Sequence, residues 1–240
     1  MSTADTREGL HVTDLQVAYN GVPAVRGISF EVNAGEAVGL IGPNGAGKSS
    51  TLLAIMGAAA RTGLVTVHGR DIAGLAPEKV VRTGLALVPE GRHVFTELSV
   101  ADNLRLGAVA RRDKSSYKEA LEYVLDLFPI LRDFGHRHAG LLSGGQQQQL
   151  AIARALAAGP KVLILDEPTE GIQPSIIKDI GRVIRMLADR GNMAIVLVEQ
   201  YYDFAQELAD QYVVMERGAV KAQGRGADME AHGVRQMVAI

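Results

Sequence analysis

The stretch that decides the fold class is Gly42-Pro43-Asn44-Gly45-Ala46-Gly47-Lys48-Ser49. It fits the pattern Gly-x-x-x-x-Gly-Lys-Ser/Thr at every fixed position. The apolar run Glu36–Ile41 precedes it and is typical of a short strand, and a helical run follows from Gly47 to about Ala59. A strand, a glycine-rich turn and a helix in this order predict an α/β fold.

The same turn has the chemistry of a phosphate-binding cradle. Glycines allow the backbone N–H groups to wrap a triphosphate, and the helix that begins there presents the positive end of its dipole. We expect Lys48 to neutralise the β- and γ-phosphates and the Ser49 hydroxyl to ligate Mg²⁺. The residues predicted to bind the nucleotide here are Gly42, Asn44, Gly45, Ala46, Gly47, Lys48, Ser49 and Ser50.

A second part of the site follows the apolar strand Val162–Leu165. Asp166 and Glu167 come at its carboxyl end, which is where open α/β sheets bind their ligands. We expect Asp166 to hold Mg²⁺ or its water ligands, and Glu167 to orient or deprotonate the attacking water. A strand that ends in Asp-Glu is a weak signal by itself, but beside the Lys48 cradle it predicts a nucleotide-hydrolysing site.

Composition and charge exclude several classes of protein. Of the 240 residues, 47% are hydrophobic and 22% charged, which is typical of a globular protein and excludes a disordered one. Lys and Arg number 25 and Asp and Glu 27, so the net charge of −2 gives no basic footprint for nucleic acid. The absence of cysteine excludes disulfides and suits a reducing cytoplasm. The polar segment Met1–Gly9 predicts no signal peptide, and no apolar run has the length of a membrane span.

Strand-like and helical segments alternate along most of the chain, which predicts a mostly parallel sheet covered by helices. The first forty residues are rich in strand-like segments. The block Gly91–Gly159 instead shows helical spacing, with Ser99 and Ser143 as helix N-caps, and we interpret it as a helical insertion. The chain, residues 1–240, is then interpreted as one domain that carries this insertion.

The segment Leu142-Ser143-Gly144-Gly145-Gln146 adds a feature that a single nucleotide site does not need. Ser143 at a helix N-cap, followed by two glycines, makes a second anion-binding helix terminus. Because the cradle already serves the chain's own nucleotide, this second terminus predicts docking onto nucleotide that another subunit holds.

Together, the cradle, the Asp166-Glu167 pair and the segment Ser143–Gln146 make the chain resemble the ATP-binding subunits of ABC transporters, over essentially its whole length. The resemblance implies a P-loop NTPase (RecA-like) core with an N-terminal antiparallel β subdomain and an inserted α-helical signature subdomain at about 91–159. It also implies Mg²⁺-dependent ATP hydrolysis in a head-to-tail dimer, with ATP between the cradle of one subunit and the signature of the other. By the same resemblance, Tyr19 stacks on adenine, and the trans-acting signature residues are Ser143, Gly144, Gly145 and Gln146.

Departures from the pattern of that family bear on the catalytic residues. Glu90 stands where a Gln is usual, at the end of the strand that enters the insertion, and Gln200 stands where a switch His is usual. Gln can hydrogen-bond a γ-phosphate but cannot carry a proton, so Glu167 is the stronger candidate for the general base. The catalytic residues are therefore interpreted as Glu167, Gln200 and Lys48, and the Mg²⁺ ligands as Ser49, Glu90 and Asp166.

These departures look like one branch of importers, which take up branched-chain amino acids or urea and short amides. Pro89–Arg92 and Leu197–Gln200 resemble the amino-acid importer ATPases, whereas Thr169–Ile177 and the tail Gly224–Glu230 resemble the urea importer ATPase. The resemblance implies a second ABC ATPase subunit, two membrane permease subunits and, indirectly, a periplasmic substrate-binding protein as partners. It places the chain peripherally on the cytoplasmic face of the inner (plasma) membrane, with Glu90–Leu98 at the groove for the permease.

A soluble ABC-type ATPase that acts on DNA, ribosomes or iron–sulfur assembly is the alternative function. Nucleic-acid versions would be expected to carry long coiled coils, tandem cassettes or basic extensions, and this nearly neutral sequence has none of them. A simple P-loop kinase does not explain the signature segment. The sequence therefore favours the ATPase of an importer, without a nucleic-acid partner.

Overall fold

The computed structural model describes residues 8–111 and 116–238, which form two β-sheets with helices packed around them. The prediction for the N-terminal segment falls mainly on residues 1–7, and residues 112–115 belong to the predicted helical insertion; both stretches lie outside the described residues. The strands are β1 (Gly9–Tyr19), β2 (Val22–Asn33), β3 (Ala37–Ile41), β4 (Thr62–Val67), β5 (Arg70–Asp71), β6 (Leu85–Val88), β7 (Val162–Asp166), β8 (Ala194–Glu199), β9 (Gln211–Glu216) and β10 (Ala219–Arg225). The α-helices are α1 (Lys48–Ile55), α2 (Pro77–Val81), α3 (Val100–Val109), α4 (Tyr117–Leu127), α5 (Ile130–Asp133), α6 (Gly144–Ala157), α7 (Pro174–Asp189), α8 (Tyr202–Leu208) and α9 (Val234–Val238).

A six-stranded sheet forms the core, in the order β10-β9-β3-β8-β7-β6. Five neighbouring strands run parallel, namely β9, β3, β8, β7 and β6, and β10 pairs antiparallel with β9 at one edge. Every residue of β3, β7 and β8 is buried, because apolar clusters pack on both faces of the sheet. The prediction of an α/β fold with a mostly parallel sheet is confirmed.

The second sheet is antiparallel, in the order β2-β1-β4-β5. Its central strand β1 has a bulge between Val12 and Leu15, where Asp14 adopts a φ of 48°. The bulge leaves both Val12 and Leu15 buried although they are an odd number of residues apart. Their side chains join Leu40 and Val196 of the core sheet in one apolar cluster. The N-terminal antiparallel β subdomain that the resemblance implied is therefore present, packed over one face of the core sheet.

The helices α3 to α6 lie between β6 and β7 in the chain and form the inserted helical part of the fold. Within the described part of this segment, the isolated bridge between Ser99 and His138 is the only β-type pairing. The Ser99 hydroxyl accepts the N–H of Asp102 at 3.0 Å and caps α3, as predicted. Leu104 of α3 and Leu150 of α6 share an apolar cluster with β7, which fixes the insertion to the other face of the core sheet.

The structure differs from the predicted elements mainly at helix ends and near the C-terminus. The helix α1 ends at Ile55 rather than near Ala59, because Gly57 adopts a left-handed φ of 74°. The helices α8 and α9 were not predicted because they are short; α8, for example, has only 7 residues. The strand β10 was not predicted either, because it is half-exposed at the edge of the sheet. Among the helices of residues 8–111 and 116–238, none combines the length and the apolar character that a membrane crossing requires.

Candidate active site

The carboxyl ends of the adjacent strands β3, β8 and β7 meet at one edge of the core sheet. Gly42, which follows β3, donates its N–H to the carbonyl oxygen of Glu199 in β8 at 3.3 Å. Glu167, which follows β7, donates its N–H to the carbonyl oxygen of Val198 at 2.9 Å. These bonds bring the cradle and the Asp-Glu pair to the edge where open α/β sheets bind ligands.

The cradle closes directly onto α1, whose first residue is Lys48. Gly47 has a φ of 102°, and a Cβ at this position would lie 2.7 Å from the carbonyl oxygen of Ala24, so a side chain does not fit there. Lys48 is 4% exposed. Its Nζ donates to the carbonyl oxygens of Gly42 at 2.7 Å and Pro43 at 3.2 Å. The ammonium group is therefore fixed inside the loop, next to the positive end of the α1 dipole.

Both carboxylate oxygens of Glu167 have partners. The Lys48 Nζ lies 3.3 Å from Oε1, and the Gln200 Nε2 donates to Oε2 at 3.1 Å. The backbone of Glu167 has a φ of 45°, a left-handed conformation that is strained for a residue other than glycine and is frequent at functional sites. The structure thus brings together the three residues that were predicted to be catalytic, Lys48, Glu167 and Gln200.

The carboxyl of Asp166 has the environment of a cation ligand. Burial, followed by the negative charges of Glu167 and Glu90, raises the pKa of Asp166 to about 6. Burial also raises the pKa of Glu90, with contributions from Glu170 and Glu167. A cation relieves such a cluster of like charges. Within the described residues no group of three His, Cys, Asp or Glu side chains could hold a metal ion alone. The Asp166 and Glu90 carboxylates and the Ser49 hydroxyl are hard oxygen donors, the type that Mg²⁺ prefers.

We expect Asp166→Asn to stabilise the fold in the absence of nucleotide, by an amount that depends on pH. Folding raises the pKa of Asp166 from 3.8 to about 6, so ionising this group opposes folding. The free-energy cost of ionising Asp166 in the folded protein is absent below pH 3.8, grows as the pH rises to about 6, and is constant at higher pH. Melting temperatures of variant and wild type, measured by calorimetry from pH 4 to pH 8, should therefore diverge up to about pH 7 and then stay parallel.

The exposed Asp133 provides the control for this comparison, because Asp133→Asn changes a carboxylate that is not buried. A difference in melting temperature between Asp166→Asn and wild type that is constant across the pH range, or that shrinks as the pH rises, would contradict the raised pKa. Addition of Mg²⁺ and ATP should favour the wild type, since a ligand stabilises the form that binds it better.

A cavity of about 500 Å³ opens at this edge of the sheet. The predicted site residues that line it are Asn44, Gly45, Gly47, Lys48, Ser49, Ser50, Glu90 and Glu167. Four residues that were not predicted also line it: Pro23, Ala24, Arg26 and Arg217. The two arginines add positive charge to a cavity that already contains the cradle, which suits a polyphosphate ligand. Arg217 lies in the turn between β9 and β10, and its only signal in the sequence is the following Gly218.

The predicted signature segment lies elsewhere, since none of its residues lines this cavity. The Ser143 hydroxyl accepts the N–H of Gln146 at 3.3 Å, and the Gln146 Oε1 accepts the N–H of Ser143 at 3.0 Å. This capping box begins the 14-residue helix α6. Tyr19, the predicted adenine-stacking residue, is 45% exposed at the end of β1 and does not line the cavity either.

A buried acidic residue beside the site was not predicted. Glu199, the last residue of β8, is 0% exposed, and its Oε1 accepts the Thr169 hydroxyl at 2.8 Å. Burial raises the pKa of Glu199 to about 7, although the hydrogen bonds from Thr169 and from the N–H groups of Tyr201 and Gln200 act in the opposite direction. The signal in the sequence is the charged residue at the end of the apolar run 194–198, but the run alone does not show that this residue is buried.

The site combines a buried lysine in a glycine-rich loop with an Asp-Glu pair that lies at the end of a strand two places away in the sheet. A glutamine side chain donates a hydrogen bond to the Glu of that pair. This combination defines an ATPase of the P-loop class. The family model described as "ABC transporter" matches residues 25–170. The chain belongs to the ABC transporter family, in which it is an ATP-hydrolysing, ATP-binding subunit.

Curated relatives and solved structures agree with this assignment. The chain is 42% identical over 210 residues to the high-affinity branched-chain amino acid transport ATP-binding protein BraG of Pseudomonas aeruginosa, covering 87% of this chain and 89% of that protein. It is 34% identical to the probable branched-chain amino acid transport ATP-binding protein LivF of Archaeoglobus fulgidus, covering 93% and 94%. The ADP conformation of MJ1267, an ATP-binding cassette of an ABC transporter, superposes with a TM-score of 0.86 at 27% identity, covering 97% and 98%. The resemblance inferred from the motifs is thereby confirmed.

Proposed function

We propose that this chain hydrolyses ATP to power the uptake of branched-chain amino acids through membrane permease subunits. The observation that carries the proposal is the arrangement around Glu167, whose carboxylate meets Lys48 from the cradle and Gln200 from the neighbouring strand. The cargo is inferred from the names of the BraG and LivF relatives. The resemblance of two segments to the urea importer ATPase makes urea the competing cargo.

In this proposal Glu167 takes the proton of the water that attacks the γ-phosphate. Lys48 and Gln200 fix the carboxylate from both sides, so the base has one orientation when the nucleotide arrives. Gln200 acts by donating hydrogen bonds, because an amide does not accept a proton at neutral pH. Lys48 neutralises the negative charge that develops on the transferred phosphoryl group.

Mg²⁺, when bound, would neutralise part of the negative charge of the nucleotide phosphates. We propose Ser49, Glu90 and Asp166 as the residues that hold it, directly or through water. Asp166 is only 8% exposed at the end of β7, and the exposed Ser49 lies in the first turn of α1. Both residues carry hard oxygen donors, which is the donor type that Mg²⁺ prefers, and Ser49 lines the cavity.

We propose a head-to-tail dimer with a second ABC ATPase subunit, either identical or related. The N-terminus of α6 carries an exposed Ser143 in a capping box and lies outside the cavity of its own chain. A helix terminus of this kind attracts phosphate, and here it is free to meet the nucleotide of a partner. Tyr19 is similarly exposed for stacking on adenine. Residues 1–240 then act as one ATPase domain, with 91–159 as its signature subdomain.

An apolar groove between β6 and the inserted helices is the proposed docking site for the permease. Its volume is about 350 Å³. Phe95 and Leu106 line it and are 53% and 45% exposed. The guanidinium of Arg154 lies 5.1 Å from the ring centroid of Phe95 and donates to the carbonyl oxygen of His93 at 2.8 Å, which holds this segment in place. In this proposal the docked chain lies on the cytoplasmic face of the membrane, and a periplasmic protein delivers the cargo to the permease.

Uptake by cells tests the proposal. A strain of the source organism that lacks this gene should lose high-affinity uptake of radiolabelled leucine, isoleucine and valine. The wild-type gene should restore uptake, and the Glu167→Gln variant should not. Unchanged leucine uptake in the deletion strain would contradict the proposed cargo, and loss of urea uptake instead would assign the competing one.

A further inference from the structure

Glu199 is a buried carboxylate that the proposed hydrolysis does not use. It ends β8 directly before Gln200 and is 0% exposed. A buried carboxylate is costly unless hydrogen bonds satisfy its oxygens. The contacts of Glu199 therefore indicate which parts of the chain this carboxylate holds.

Those contacts lie on two different segments. The Oε1 of Glu199 accepts the hydroxyl of Thr169 at 2.8 Å, and Thr169 lies two residues after Glu167. The Oε2 accepts the N–H of Gln200 at 3.2 Å and that of Tyr201 at 3.4 Å. Thr169 is only 4% exposed, so water competes little for its hydrogen bond. One carboxylate therefore connects the segment after Glu167 to the segment that carries Gln200.

The two connected segments also meet at the catalytic carboxylate. The Gln200 side chain donates to the Glu167 Oε2 at 3.1 Å, so the path from Thr169 through Glu199 and Gln200 returns to Glu167. The left-handed backbone of Glu167, with a φ of 45°, persists only if its surroundings fix it. The N–H of Glu167 is held by Val198 on one side, and the Thr169–Glu199 hydrogen bond holds the chain on the other.

We propose that Glu199 is a positioning residue for ATP hydrolysis. Its carboxylate ties Thr169 to the main chain of Gln200, so that the Gln200 amide and the Glu167 carboxylate keep one geometry. The inference rests on the proposed roles of Glu167 and Gln200. Glu199 does not line the nucleotide cavity, so its loss should act on kcat and leave the KM for ATP nearly unchanged. A role in folding alone would leave kcat of the folded protein unchanged.

The test compares variants of the full chain by kcat and KM for ATP. Glu199→Met keeps the length of the side chain but removes both acceptors, and kcat should fall on the order of 10- to 100-fold because the catalytic groups are misplaced. Glu199→Gln can still accept the N–H groups through its oxygen and donate to the Thr169 hydroxyl, so kcat should recover to within about threefold of wild type. Thr169→Val removes one hydrogen bond and should lower kcat less than Glu199→Met does.

The double variant Glu199→Met/Thr169→Val separates one shared interaction from two independent ones. Its kcat should equal that of Glu199→Met alone, because both changes break the same hydrogen bond. Thr83→Val is the matched control, since it removes a hydroxyl bond of 2.7 Å to the Val80 carbonyl before β6, far from the carboxyl edge of the sheet, and should leave kcat unchanged. If Glu199→Met does not fold, Thr169→Val and Glu199→Gln still give the comparison.

A wild-type kcat in Thr169→Val or in Glu199→Met, an increase in KM without a change in kcat, or multiplicative effects in the double variant would overturn the inference. Failure of the proposed function is a different result. In that case Glu167→Gln, measured in the same series, would hydrolyse ATP as fast as the wild type.

Discussion

Glu167→Gln should lower kcat for ATP hydrolysis by about 100-fold or more while ATP still binds. The substitution keeps the shape of the side chain and its hydrogen bond with Gln200, but the amide cannot accept the proton of the attacking water. It also removes the negative charge next to Lys48, so binding of a polyphosphate should not weaken. The rate of phosphate release at saturating ATP gives kcat, and titration with a fluorescent ATP analogue gives the dissociation constant.

Because the variant binds ATP without consuming it, the closed dimer should accumulate. Size-exclusion chromatography with ATP and Mg²⁺ should show a larger dimer fraction for Glu167→Gln than for the wild type. Glu78→Gln is the matched control, as Glu78 is exposed on α2 and should behave as wild type. Turnover of Glu167→Gln within a few-fold of wild type would remove Glu167 from the mechanism.

Lys48→Ala should weaken ATP binding by about 10- to 100-fold, because a hydrogen bond to a charged group contributes about 1.5–3 kcal/mol. Lys48 is 4% exposed and held by the carbonyls of the cradle, so little reorganisation is needed for it to meet the phosphates. The loss should therefore appear in the dissociation constant itself and not only in kcat. Isothermal titration with ATP and Mg²⁺ measures it.

The matched control is Lys79→Ala, which removes an exposed lysine from α2 and should not change the affinity. If Lys48→Ala bound ATP with wild-type affinity and lost only turnover, Lys48 would act in the chemical step alone. The cradle would then hold the phosphates chiefly through its backbone N–H groups.

The core of the fold could be predicted because its signals are local. The glycine-rich turn follows β3 directly, and the apolar strand before Asp166 shows that this carboxyl group emerges at the edge of a buried sheet. The C-terminal elements could not be predicted as easily. The helix α8 has only 7 residues, and β10 is half-exposed and pairs antiparallel at the edge of the sheet, so neither has a strong periodic pattern.

The same distinction applies to the site. Lys48, Asp166 and Glu167 belong to contiguous motifs, so their roles could be proposed from the sequence. Arg217 reaches the cavity from a turn distant in the chain, and Glu199 meets Thr169 thirty residues earlier, so only the packed sheet shows these neighbours. Residue types in a motif carry chemistry, whereas contacts across the sheet depend on strand order, which the motifs do not specify.

The central claim is that ATP held by one chain is completed by the Ser143 helix terminus of another. The sequence has no cysteine, so single cysteines can be introduced without background. We would mix Glu167→Gln/Asn44→Cys with Glu167→Gln/Ser143→Cys, add a short bismaleimide, and measure covalent dimers with and without ATP and Mg²⁺. The account expects mixed dimers that form only when ATP is present. A chain with both cysteines, Glu167→Gln/Asn44→Cys/Ser143→Cys, tests for cross-links within one molecule. Absence of mixed dimers in the presence of ATP, together with cross-links within this chain, would contradict the account.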